Sequence, residues 1–146
     1  MNMKKKYYLY SVLFAMYLAI LVYFLFFAEG FRESISGAYR YNFVPFREIT
    51  RYISYRRTIG YGRAFLNLGG NIIAFMPMGF FLPHLCRKRL NFWSVSLIAL
   101  EASVLVEVIQ LFTRVGCCDI DDVILNTIGG MLGYGCYIIG KGRKKS

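Results

Sequence analysis

The sequence lacks most of the groups that soluble catalysts draw on. Of its 146 residues only one is histidine, and eight carboxylates stand against 18 lysines and arginines. His84 adjoins the basic run 87–89 and reads as an interfacial side chain rather than a ligand or base. Cys86, Cys117, Cys118 and Cys136 show no CxxC spacing, and the adjacent Cys117/Cys118 pair suits neither a zinc knuckle nor an ordinary disulfide. There is no internal repeat and no glycine pattern of a nucleotide site, so no cofactor is expected. The most informative absence is one of charge: YYLYSVLFAMYLAILVYFLFFA, residues 7–28, has no charged side chain in 22 positions.

What fills the chain instead is apolar. Hydrophobic residues make up 57% of it, well above globular usage, and they are gathered into long blocks. Residues 7–28 can cross about 30 Å of hydrocarbon at about 1.5 Å per residue. The basic start MNMKKK resembles that of a signal peptide, but the run is too long and no small-residue cleavage site follows cleanly, so a retained helix is expected. Further spans are expected at 64–86, 92–113 and 123–140. An open sheet edge or loose loop cannot satisfy its backbone in lipid. The expected fold class is therefore all-α: one polytopic integral membrane domain over 1–146, a bundle of four transmembrane helices.

A formal net charge of +10 invites a nucleic-acid reading. The basic residues instead bracket the spans: Lys4 to Lys6, Arg87 to Arg89, then Lys141, Arg143, Lys144 and Lys145. Facing the cytoplasm, these three clusters give a multi-pass protein of the cytoplasmic membrane with both termini inside. Membrane lipids, not nucleic acid, are then the expected partners. The 29–63 linker falls outside and carries seven arginines against three acids. From Pro45 onward, FREITRYISYRRTI places Phe46, Ile49, Tyr52 and Ile53 on one helical arc and Arg47, Glu48, Arg51, Ser54 and Thr58 on the other. An interfacial amphipathic helix is expected over about 45–59, its arginines among phosphates.

This topology assigns a depth to every polar residue in the spans. Asn67 and Asn71 lie in the outer part of span two, four apart on one face. Glu107 and Gln110 occupy the outer half of span three, with Arg114 just past its end at i, i+3, i+7. Asp119, Asp121 and Asp122 precede span four, and Asn126 is one turn deeper. Three helices thus deliver polar groups to one leaflet, where an ionisable side chain costs about 2.5–3.5 kcal/mol on insertion scales and faces a bundle interior or cavity. The set Asn67, Asn71, Glu107, Gln110, Arg114, Asp119, Asp121, Asp122 and Asn126 is the candidate lipid-headgroup site. For Asn126 an interhelical hydrogen bond to Asn71 or Glu107 is the plainer reading, and Asp121 and Asp122 also suit the start of span four as helix-terminal acids.

Helix packing accounts for other signals. Gly129 and Gly133 form GxxxG, which lets helices approach closely within the bundle or in a homo-oligomer. Pro77, followed by Gly79, frees the Ile73 carbonyl; a kink there opens a pocket near Asn71 or simply shapes the packing. Pro83 marks the inner end of the span. Glu101, at the centre of span three, is turned about 120° from Glu107 and stands outside the site.

NFVPFREI (42–49), NLGGNIIAFMPMGFFLP (67–83) and EVIQLFTRVGCCDIDDVILNTIGGMLGY (107–134) together resemble the successive motifs of VanZ-like membrane proteins. The resemblance covers roughly 40–140, through Asn42, Pro45 and Phe46; Asn67, Gly70, Asn71, Phe75, Pro77 and Gly79; Glu107, Gln110 and Arg114; and Asp119, Asp121, Asp122, Asn126, Gly129 and Gly133. It implies a small polytopic protein of bacterial envelopes and a link to resistance to the glycopeptide teicoplanin, without a settled biochemical activity. Glu101 and the Cys117/Cys118 pair match nothing in it.

Three functions are open at this point. In the first, the polar set binds or modulates an anionic lipid or lipid-linked cell-wall component, with Arg114 clamping phosphate through its fork. In the second, it is a metal-assisted hydrolase or transferase acting on a lipid phosphate, with Asp119 and Asp122 as candidate Mg²⁺ ligands and Glu107 and Asp122 as candidate catalytic groups. In the third, the polar groups pack helices in a structural or partner-regulating subunit.

Overall fold

The computed structural model describes residues 3–28, 41–86 and 89–142. Arg87 and Arg143 to Lys145, part of the basic pattern behind the expected orientation, lie outside the described residues, as does the first part of the linker.

The fold is all-α. Helix α1 (Met3–Tyr23) ends in a wider π-helical turn, Phe24–Ala28. Two short helices follow, α2 (Arg47–Ser54) and α3 (Arg56–Ile59), and then three long ones: α4 (Tyr61–Leu85), α5 (Phe92–Thr113) and α6 (Ile120–Gly142). Four stretches are long and apolar enough to cross a membrane: Lys4–Phe27, Tyr61–Leu85, Phe92–Thr113 and Ile120–Gly142. The chain is a multi-pass membrane protein. The third span has its expected bounds. The fourth starts at Ile120, which puts Asp121 and Asp122 in its first turn, where the exposed N–H groups favour acids.

The second span runs unbroken through Pro77 and on past Pro83, which does not end it. Near Pro77 the phenol of Tyr17 donates to the Ala74 carbonyl at 2.7 Å, an outside donor at a point where proline disturbs the helix's own ladder. The cavity beside Pro77 is not the one expected near Asn71. It holds about 300 Å³ and is lined by Met76, Pro77, Phe80, Phe81, Gly133 and Cys136, an apolar set on the far side of Pro77 from Asn71.

The amphipathic segment is helical but interrupted at Tyr55. Ile49 and Tyr52 are half-buried as the arc predicts. Phe46 stays outside the helix in the left-handed conformation (φ 64°), and both it and Ile53 are exposed. The turn at Phe46 redirects the chain, so the apolar arc is shorter than its sequence pattern. Just before it, β1 (Tyr41–Asn42) pairs in parallel with β2 (Cys118–Asp119), Tyr41 opposite Cys118 and Asn42 opposite Asp119. The pairing gives non-helical backbone at the membrane edge its hydrogen-bond partners.

The tightest packing is between α4 and α6. A Cβ on Gly129 would meet the Ile72 backbone and one on Gly133 the Met76 backbone, while Gly79 lies against the backbone of Gly130 and Tyr134. Without a hydrophobic force to separate protein from lipid, this close approach is what holds the two helices together. GxxxG is thus used inside the bundle. Phe75, Met78, Ala99 and Leu21 form the core where α1, α4 and α5 meet. Glu101 is exposed, on the outward face of α5 with Leu97, Leu100, Val104 and Leu105.

Candidate functional site

The up-and-down course of the helices collects the end of α1, the starts of α4 and α6 and the end of α5 at one end of the bundle, the polar end. Asp121 is 1% exposed. Its carboxylate accepts from the backbone N–H groups of Phe46, Glu48 (2.8 Å) and Ile49 (3.1 Å), the first turn of α2. Helix α2 has no side-chain cap of its own, so the acid at the start of α6 caps a different helix. The sequence places Asp121 in the candidate headgroup site, with the start of its own helix as the plainer alternative; the structure gives its carboxylate to the N–H groups of α2.

Asp119 continues the network. Its Oδ1 accepts from Asn42 Nδ2 at 3.0 Å and from the Asp121 N–H at 2.9 Å, and its own N–H donates to Glu107 Oε2 at 2.8 Å. Asn42 Oδ1 in turn accepts from the Val44 N–H at 3.3 Å. Glu107, Asp119 and Asn42 are all buried. Asn71 Nδ2 donates to Asp122 Oδ1, joining α4 to α6. Gln110 Nε2 donates to the Leu25 carbonyl at 3.2 Å, giving the irregular end of α1 a partner, and Gly116, at φ 89°, packs on that amide. Deeper in the bundle, Asn126 Nδ2 donates to Ser103 Oγ at 2.8 Å, and Asn126 Oδ1 is buried with no partner.

The carboxylates are therefore held by backbone N–H groups and amides, charge-assisted bonds that are strong in a low dielectric. Burial first, then the charges of Glu107 and Asp119, push the Cys118 thiol up from its ordinary value, away from the thiolate needed for attack. Thr113 and Thr127 donate to carbonyls of their own helices, Ile109 and Val123, each at 2.7 Å. None of the three is set up as a nucleophile.

Some residues expected in the site stand apart. Asn67 is exposed and donates to the Arg63 carbonyl of its own helix at 2.9 Å. Arg114 ends α5 in the left-handed conformation (φ 58°), so the stripe from Glu107 and Gln110 does not reach it as a helical residue; it lies exposed at the rim. Asp119 and Asp122 engage different partners. Among the described residues no group of three or more His, Cys, Asp or Glu could hold a metal ion, so the Mg²⁺ reading has at most two acids to build on. Asn126 meets Ser103, not Asn71 or Glu107.

Two members lie outside the expected headgroup set, although Asn42 belongs to the NFVPFREI motif of the family resemblance. Ser103 had a usable signal, since Ser103, Glu107 and Gln110 follow at i, i+4, i+7 on one helical face. Asn42 had none from periodicity, because its partner is 77 positions away.

A four-span helical bundle that buries an acidic hydrogen-bond network at one end defines a small polytopic membrane protein. The chain belongs to the VanZ/LLP1 family, whose profile matches residues 14–141. It is similar to Protein VanZ from Enterococcus faecium, 39% identical over 67 residues, a match that covers 46% of this chain and 41% of that protein. The matched stretch is thus less than half of that relative's length. No solved structure matches the chain.

Proposed function

We propose that this VanZ-family protein works at the outer face of the bacterial cytoplasmic membrane, with both termini cytoplasmic. There it binds or modulates an anionic lipid or lipid-linked cell-wall component and contributes to teicoplanin resistance. The observation that carries this reading is the tie between Asp121 and α2. It turns the acids inward onto backbone N–H groups and leaves Arg47, Arg57, Arg63 and the rim residue Arg114 exposed at the same end. In this reading Asn71, Glu107, Gln110, Asp119, Asp121, Asp122 and Asn126 are the scaffold, and the guanidinium forks meet the phosphate. Masking of a precursor, or altered lipid packing around it, then limits glycopeptide access.

Native mass spectrometry from mild detergent tests this directly. A co-purifying phospholipid or polyprenyl phosphate is expected. Replacing Arg47, Arg57, Arg63 and Arg114 with glutamine should remove both that species and teicoplanin protection while the melting temperature holds. Unchanged lipid retention in that variant would overturn the reading.

A lipid-phosphate hydrolase or transferase is favoured by one feature, the burial of Glu107 within the electrostatic reach of Asp122 and Asp119. For that reading Glu107→Gln should abolish turnover of a lipid phosphate with lipid retention intact. A purely structural or partner-regulating role instead predicts that Asn71→Ala lowers membrane abundance before any effect on lipid.

A further inference from the structure

At the opposite end of the bundle lies a second cavity, of about 310 Å³, where the end of α4, the short connection to α5 and the last turns of α6 meet. Its polar lining consists of Arg89, Asn91, Tyr134, Tyr137 and Lys141, with no carboxylate among the lining residues. Arg89, Asn91, Tyr137 and Lys141 each offer a donor to the cavity, while Tyr134 uses its own within the fold. The Tyr134 hydroxyl donates to the Leu90 carbonyl at 3.3 Å, which ties the connection to α6. Asn91 Oδ1 accepts from the Ser94 N–H at 2.8 Å, capping α5 and leaving its NH₂ group as a donor. Lys141 Nζ donates to the Tyr137 hydroxyl at 3.3 Å and stands 5.5 Å from that ring's centroid. This holds the ammonium in place with further N–H groups to give, and leaves the Tyr137 O–H proton to donate in turn. Arg89 adds an exposed guanidinium.

The cavity therefore presents a guanidinium, an ammonium, a phenol and an amide, two formal positive charges with no carboxylate beside them among the described lining residues. A ligand that suits it carries negative charge and several acceptor oxygens, as a phosphate ester does. Depth narrows the source. Trp93, 74% exposed, and the exposed Tyr7 and Tyr8 stand at this same end, a pattern of amphipathic rings found at headgroup level. Ile138 and Pro83 add apolar groups to the lining.

We propose that this cavity is a second anion site, separate from the polar end, that takes the phosphate of an anionic phospholipid headgroup. Arg89 and Lys141 bind the phosphate, Tyr137 and Asn91 add hydrogen bonds, and Tyr134 positions the connection.

The test uses the full chain in mild detergent, offered phosphatidylglycerol and phosphatidylcholine in equal amounts, with retained lipid read by native mass spectrometry. The wild type should favour phosphatidylglycerol by about tenfold, a preference of the size a few charge-assisted bonds supply. The double variant Arg89→Gln/Lys141→Gln should lose it at an unchanged melting temperature. A control, Lys4→Gln/Lys5→Gln, removes the same charge from the same end but outside the cavity and should keep the preference. Equal loss in the control would show general attraction to positive charge and overturn the site. A parallel arm adds millimolar inorganic phosphate: displacement of phosphatidylglycerol by phosphate alone would assign the cavity to free phosphate and overturn the lipid source, whereas lipid retention in its presence supports it. No preference in the wild type would also overturn the proposal. Should the double variant misfold, Arg89→Lys, which keeps charge but not the fork, should lower the preference without abolishing it. The glutamine variants at the polar end should leave this preference intact, so the two readings fail separately.

Discussion

The two ends of the bundle treat charge in opposite ways. At the polar end Asp121, Asp119 and Glu107 are buried and hydrogen-bonded. At the basic end Arg89 and Lys141 are exposed beside an open cavity. The difference lies in what the connecting chain supplies. Between α1 and α4 a long linker returns to the bundle and brings the backbone N–H groups of Phe46, Glu48 and Ile49 to the acids. Between α4 and α5 the connection is short, and the side chain of Asn91 caps the helix that follows it. Among the described residues, acids at a helix terminus are thus tied down where a second segment meets them, while Arg89 and Lys141 stay exposed.

The contrast can be broken most completely at Gly133, since both ends depend on the α4–α6 contact. Gly133→Leu would drive a side chain into the Met76 backbone. A loss of at least about 3 kcal/mol is expected, seen as a collapse of membrane abundance and of the detergent melting transition.

Asp121→Ala breaks only the polar end. It strips three N–H groups of their acceptor, and a loss of about 2–3 kcal/mol is expected, with new proteolytic nicking in 41–59 and an intact lipid preference at the basic end. Nicking that spreads to the 86–91 connection would show that the ends are not independent.

Thiol labelling compares the ends without disturbing either. Exposed Cys86 should react with a water-soluble maleimide at pH 7.5 at least about tenfold faster than Cys118, which is buried and has its thiol pushed up. The sign follows from the thiolate being the reactive form: a raised value leaves Cys118 protonated at neutral pH, so its labelling should gain on Cys86 only as pH rises well into the alkaline range. Glu107→Gln, by removing a neighbouring negative charge, should shorten the lag.

The smallest effect is expected at Glu101. Its side chain lies on the outer face of α5, so Glu101→Leu should change the melting free energy by no more than about 0.5 kcal/mol and leave both ends unaltered.

The spans were legible because lipid imposes a length and a composition that a single sequence displays; Phe92–Thr113 needed no adjustment. Gly129 and Gly133 were legible as a close-approach pair, though not their partners Ile72 and Met76. In the candidate site, Glu107, Gln110, Asp121 and Asn71 stood out as polar groups in apolar helices. The Asp121 cap on α2 did not, because hydrogen bonds between residues more than 70 positions apart leave no periodic trace. Arg114 and Asn67 stand apart from the buried network for a local reason: a left-handed residue ends the helical register at one, and a carbonyl of its own helix accepts from the other.

Sequence alone determined that this chain is a four-span helical membrane protein with Glu107, Asp119, Asp121 and Asp122 near one set of helix ends, because hydrophobic length and charge placement are properties of the covalent chain. Only the tertiary structure decided that Asp121 caps α2, that Asn42 pairs with Asp119 and that Arg89 joins Lys141 around a cavity. Those outcomes depend on which distant backbone donors and side chains meet when the helices close, and a hydrogen bond reaching about 3 Å is set by that meeting rather than by order along the chain.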